Sequence, residues 1–224
     1  MIIAIDGPSG AGKSTIAKAV AKKLGFSCLD TGAMYRAVAY RALKDGVALD
    51  DAERLGALAQ DHIISFGHDV GDPVPRKVYI DGEDITDLIR TAEIDKAVSP
   101  VSATSQVREA LVMQQQTIGA QGNYVVEGRD IGTVVFPEAE LKIFLTASPE
   151  ERAHRRVRQN VDRGIGSINH EEVLADIIRR DEIDSNRTTS PLKPAEDSIH
   201  IDSTNEYIEA IIEKIITLAK ARMS

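Results

Sequence analysis

The sequence predicts an α/β protein: a five-stranded parallel sheet with helices on both faces. Three observations predict it. Short apolar runs alternate with amphipathic stretches, as strands buried on both faces alternate with crossover helices. The first apolar run leads directly into a glycine-rich loop and then a helix. The alternation breaks only between about residues 63 and 89, where Gly and Pro punctuate the chain.

The strands are expected at Ile2–Asp6, Ser27–Asp30, Tyr124–Glu127, Leu141–Thr146 and Ser198–Asp202, each bounded by Gly, Asp, Asn or Pro. Helical periodicity covers Lys13–Leu24, Met34–Lys44, Asp50–Gln60, Ser105–Gly119, Pro149–Val161, His170–Ser185 and Asn205–Ala221. In the interrupted region, Arg76–Ile80 reads as a strand running into the turn pair Asp81-Gly82, a hairpin signal. The expectation is one domain over residues 1–224, with a small β-rich insertion at about 61–100 and a helical lid at about 150–166. In such open sheets ligands bind at the carboxyl ends of the strands.

A chain of 224 residues, 42% hydrophobic, can bury a substantial core. Its single cysteine, Cys28, allows no internal disulfide or Cys-rich zinc site and fits a reducing compartment. Only four apolar residues separate Met1 from Asp6, and no apolar stretch approaches a bilayer span, so a cytoplasmic protein is expected. The net charge of −8 argues against non-specific nucleic-acid binding. Neither nucleic acid nor membrane is an expected partner, and a monomer is expected. Basic residues nonetheless cluster at 152–158 and around Arg179, Arg180 and Arg187, which suits small phosphorylated ligands or, residue by residue, a solvated helix face.

The stretch Gly7-Pro8-Ser9-Gly10-Ala11-Gly12-Lys13-Ser14 matches G-x-x-x-x-G-K-[ST] at every position, between a strand and a helix. This is the P-loop. Its glycines let backbone amides curl around a phosphate, and the helix N-terminus adds its positive dipole. Lys13 reaches the β- and γ-phosphates, Ser14 is placed to hold Mg²⁺, and Thr15 is placed for the α-phosphate. A GTPase would need an Asn-Lys-x-Asp stretch, and a motor or transporter ATPase an acidic hhhhDE strand end. Neither is found in the sequence, which leaves a small kinase using a nucleoside triphosphate, whose acceptor must be sought elsewhere.

Three further strand ends and helix faces carry candidate acceptor groups. After the second strand, "LDTGAMYR" places Thr31 to cap the next helix and Arg36 just over a turn into it. Capping alone accounts for Thr31 equally well, and Arg36 has a surface reading too. After the third strand, "EGRDIG" places Arg129 and Asp130 at a carboxyl end between two glycines, as a ligand site or a local ion pair. In "IIRRDEIDSNR", Arg180, Asp184 and Arg187 stand at i, i+4 and i+7 on one helix face. There Arg forks suit an oxyanion and Asp a sugar hydroxyl. Finally, a helix bearing Arg152, Arg155, Arg156 and Arg158 precedes the hinge-like "GIGS". A lid of mobile arginines closing over a nucleotide is the functional reading, and a solvated face the alternative.

Taken together, "GPSGAGKST", "LDTGAMYR", "VREAL", "GRDIGTVVFP", "KIFLTAS", "EERAHRR" and "RRDEIDSNR" resemble the bacterial cytidylate kinases, within the nucleoside monophosphate kinases. The resemblance runs from residue 6 to about 202 and extends loosely to the insertion. It implies transfer of the ATP γ-phosphoryl group to CMP or dCMP with Mg²⁺. On matching positions it implies that Arg36, Arg129 and Arg187 hold the acceptor phosphate with Thr31 nearby. Arg180 and Asp184 then face the ribose, and Ser99, Arg108 and Asp130 read the base. Chemistry agrees: Asp130 can accept from the cytosine N4 amino group and Arg108 can donate to N3 or O2, whereas uracil reverses the pattern. Two positions depart from the family, Thr31, often Ser, and Ile183, basic in some members.

Overall fold

The computed structural model describes residues 1–223. Its main sheet contains β1 (Ile2–Asp6), β2 (Ser27–Asp30), β6 (Tyr124–Gly128), β7 (Leu141–Thr146) and β8 (Ile199–Asp202), in the order β2-β6-β1-β7-β8. Every pairing in it is parallel, so all five carboxyl ends lie along one edge. The near-continuous apolar strands are covered on both faces. One face packs on α1 (Lys13–Leu24) and α8 (Ile208–Met223), through Ile16, Val20, Ile211 and Ile215. On the other, α2 (Thr31–Lys44), α3 (Ala52–Asp61), α4 (Ala92–Ala103) and α5 (Ser105–Gly119) share one core with the sheet, through Met34, Val38, Leu55 and Leu111, with α3 packed on α5 and α4 on α2. Full burial of such a side chain contributes roughly 1.5–3 kcal/mol.

The insertion is half β and half helical. β3 (Ile64–Gly67), β4 (Lys77–Ile80) and β5 (Glu83–Asp84) form a separate antiparallel sheet, with Asp81 (φ 49°) and Gly82 (φ 84°) making the tight turn. The chain then enters α4, a helix that the sequence pattern did not suggest because Pro100 lies inside it. Thr91 caps α4 by accepting the Ile94 N–H, and Glu93 and Asp95 complement the dipole in its first turn. The basic stretch forms α6 (Pro149–Arg163), which ends at Gly164 in the left-handed conformation and packs on α7 (His170–Asn186) through Ala153, Val173 and Ile177. Among the described residues no helix is long and apolar enough to cross a membrane.

Candidate active site

A cavity of about 990 Å³ opens along the carboxyl edge of the main sheet. At its centre the glycine loop leaves β1. Gly7 lies so close to β7 that a Cβ there would fall 1.9 Å from the Leu145 carbonyl oxygen, so no side chain fits. Lys13, buried at the start of α1, donates from Nζ to the Pro8 carbonyl at 2.7 Å and so closes the loop on itself. Burial and the nearby Arg129 lower the Lys13 pKa well below its ordinary value. Ser14 and Thr15 are exposed to the cavity, while Ala11 is buried beneath the loop.

The Ser14 hydroxyl donates to Glu127 Oε2 at 2.8 Å, across from the first turn of α1 to the end of β6. Glu127 Oε1 is buried without a hydrogen-bond partner among the described residues. Burial and the neighbouring Asp30 raise the Glu127 pKa. A hydroxyl and an acidic oxygen thus meet at the first turn of α1, the donor set that P-loop enzymes use for Mg²⁺. Glu127 was missed in the sequence reading, although Val125-Val126-Glu127 is an apolar strand ending in an acid. The missing acidic strand end is therefore present, with one carboxylate instead of two.

On the acceptor side the helix begins earlier than its periodicity suggests. Asp30, not Thr31, is the cap: its side chain accepts from Ala33 N at 3.0 Å. Thr31 instead donates its hydroxyl to the Glu127 carbonyl at 2.7 Å. Arg36 donates to the Ile89 carbonyl at 3.3 Å and pairs with Asp95 of α4. Arg108, on α5, is fully buried and pairs through Nη2 with Asp130, which follows β6. Its Nη1 donates to the Ser102 carbonyl at 3.0 Å, and its guanidinium lies 5.2 Å from the Tyr35 ring centroid. Ser99 does not line the cavity; Ser102, nearly a turn further along α4, does.

Arg129 donates from Nε to Asp184 Oδ2 at 3.0 Å. Arg187 has left α7, whose last residue is Asn186, so it does not continue the face of Arg180 and Asp184. Its Nη1 nevertheless lies 3.6 Å from Asp184 Oδ1. Against its burial, Arg129 and Arg180 hold the Asp184 carboxyl below the usual carboxylate range. Burial and Arg129 push Arg180 down to about 10. Arg180 Nε and Arg187 Nη2 are buried donors with no hydrogen-bond partner among the described residues. An anion is the acceptor that such donors lack.

The four arginines at 152–158 in α6 divide. Arg155, Arg156 and Arg158 line the cavity. Arg155 holds the Ser203 carbonyl at 2.6 Å, and Arg156 donates to the Ser9 hydroxyl at 3.2 Å. Arg152 is buried instead, donating to the Ala147 carbonyl at 2.9 Å and to both carboxylate oxygens of Asp181 at 3.1 and 2.6 Å. It fastens α6 to α7 and, by donating to the Ser9 carbonyl at 3.2 Å, to the glycine loop, and it does not line the cavity.

A profile of the cytidylate kinase family matches residues 3–221. The chain belongs to this family. A cytidylate kinase of Streptococcus pneumoniae (strain 70585) is 51% identical over 222 residues, covering 99% of this chain and 98% of its own length. Among solved structures, an uncharacterized protein from Eubacterium ventriosum ATCC 27560 matches with a TM-score of 0.51 at 11% identity, covering 99% of both chains. A Thermus thermophilus protein matches with a TM-score of 0.50 at 19% identity, covering 100% of this chain and 98% of its own. At such identities these two show the fold alone. In this cytidylate kinase family member, the glycine loop and the Arg129–Asp130 pair stand on adjacent strands, because Asp6 of β1 and Gly128 of β6 are partners in the ladder.

Proposed function

We propose that this enzyme transfers the γ-phosphoryl group of ATP to CMP or dCMP, giving ADP and CDP or dCDP. One observation carries the reading: a phosphate-gripping loop and an arginine cluster holding unpartnered donors open into the same cavity. The loop amides and Lys13 hold the donor phosphates, Thr15 flanks the α-phosphate, and α6 supplies the lid through Arg155, Arg156 and Arg158. Ser14 and Glu127 would hold Mg²⁺, which would supply charge neutralisation to the phosphoryl group in transfer.

Arg36, Arg129 and Arg187 hold the acceptor phosphate beside Thr31, while Arg180 and Asp184 face the ribose. The N4 amino group of cytosine donates to Asp130, and Arg108 donates to N3 or O2. The acceptor phosphate is anionic near neutrality, so in-line transfer needs alignment and charge stabilisation rather than a strong base. Residues 1–224 act as one domain, a cytoplasmic monomer, with about 61–100 as the monophosphate-binding insertion.

A coupled ADP-release assay across CMP, dCMP, UMP, AMP and shikimate tests this reading. Turnover on CMP and dCMP well above the others is expected. Tight ATP binding with no turnover on any acceptor would instead indicate a nucleotide sensor.

A further inference from the structure

Asp6 takes no part in the contacts assigned above, yet its side chain is buried and both carboxylate oxygens are engaged. Oδ1 accepts the Ile131 N–H at 2.8 Å, and Oδ2 accepts the Gly132 N–H at 2.7 Å. On one side the Asp6 backbone is pinned. It pairs with Gly128 and Phe144 in the central ladder, and the next residue, Gly7, has no space to move toward Leu145. On the other side, the two amides belong to the residues directly after Asp130. The Asp130 carbonyl closes the same turn by accepting Val134 N–H at 2.9 Å and Val135 N–H at 3.2 Å. The Asp6 carboxylate thus ties the root of the donor loop to the turn that carries Arg129 and Asp130.

Two adjacent N–H donors call for two acceptor oxygens. An asparagine offers one oxygen and turns its amino group toward the other N–H, donor against donor. Burial drives the Asp6 carboxyl up to about 6 despite the two amides, so this tie is kept at some cost to stability.

We propose that Asp6 is a positioning residue that fixes Arg129 and Asp130 relative to the glycine loop and thereby sets the preference for cytosine over uracil in the acceptor. The inference rests on the base-reading role given to Asp130.

Steady-state kinetics of Asp6→Asn on CMP and UMP test it. The ratio of kcat/KM for CMP to that for UMP is expected to fall about tenfold, as one mispaired buried group dictates. The KM for ATP is expected to stay within roughly twofold, since the loop itself is intact. An unchanged ratio, or a proportional loss on both acceptors, overturns the proposal. Should Asp6→Asn not fold, Asp6→Glu keeps both oxygens but displaces them by a methylene; the same ratio is expected to fall, and its persistence overturns the proposal. Asp130→Ala separates the two readings. If it leaves the ratio intact, the base-reading role falls and this inference with it. If it collapses the ratio while Asp6→Asn does not, this inference alone falls. In the Asp130→Ala background, Asp6→Asn is expected to lower the ratio no further, and an additive loss counts against the proposal.

Discussion

Arg129 donates through Nε to Asp184 Oδ2 at 3.0 Å and so joins the tip of β6 to α7. Asp184 also faces Arg187 at 3.6 Å. Asp184→Ala therefore frees two guanidiniums at once and removes the group assigned to the ribose. Its kcat/KM for CMP is expected to fall at least about tenfold, the loss of one charge-assisted contact. Steady-state kinetics with CMP and dCMP read this out; activity near wild type on both would remove Asp184 from the site.

The Arg108–Asp130 pair makes a sharper separation between stability and activity. Both side chains are at most 5% exposed, so Asp130→Ala leaves a buried cation without its partner. A loss of about 3 kcal/mol in unfolding free energy is expected, together with a fall of about tenfold or more, short of abolition, in kcat/KM for CMP. Adding Arg108→Met should recover much of the stability and none of the turnover. Urea denaturation beside the kinetic assay checks both halves.

Glu127→Gln keeps the volume and the bond from Ser14 but removes the charge. The Mg²⁺ concentration for half-maximal rate is expected to rise at least about tenfold, while the KM for CMP changes little. A magnesium titration at saturating ATP decides it. An unchanged magnesium requirement would take Glu127 out of the metal site.

Asp6 sets a pH dependence of stability. Its folded-state carboxyl lies at about 6, against an ordinary value of 3.8. Between those values the folded protein holds a proton that the unfolded chain releases, so stability rises as pH falls through that window. The upper limit is about 3 kcal/mol, from about 1.4 kcal/mol per pH unit. Thermal midpoints measured from pH 8 to 4 should therefore show wild type gaining on Asp6→Asn with acidification. A constant difference between the two would contradict the burial of this charge.

Local signals made much of this architecture legible. The five parallel strands follow from their apolar runs, and only their ends shift: β6 gains Gly128, and β8 begins at Ile199. The glycine loop is a contiguous motif whose geometry depends on its own residues. What the sequence hid depends on topology or on one local exception. Pro100 masked α4, because an interior proline ordinarily ends a helix and here does not. Thr31 looked like a cap until Asp30 took that place. Glu127 meets Ser14, and Arg108 meets Asp130, only because the fold brings separate elements to one edge. Arg152 reads like its neighbours on α6, yet its rotation about the helix turns it into the α6–α7 junction.

The β1–β6 ladder has a consequence for how such an enzyme is built. Paired parallel strands stand about 4.8 Å apart, whatever side chains they carry. The glycine loop leaves one of these strands and the Arg129–Asp130 turn leaves the other, in register at Asp6 and Gly128. The span between the two holding points is therefore set by backbone hydrogen bonding, and the sheet serves as the ruler for the transfer. Exchanging the residues at the tip of β6 would alter which molecule receives the group while leaving untouched how far the group has to travel.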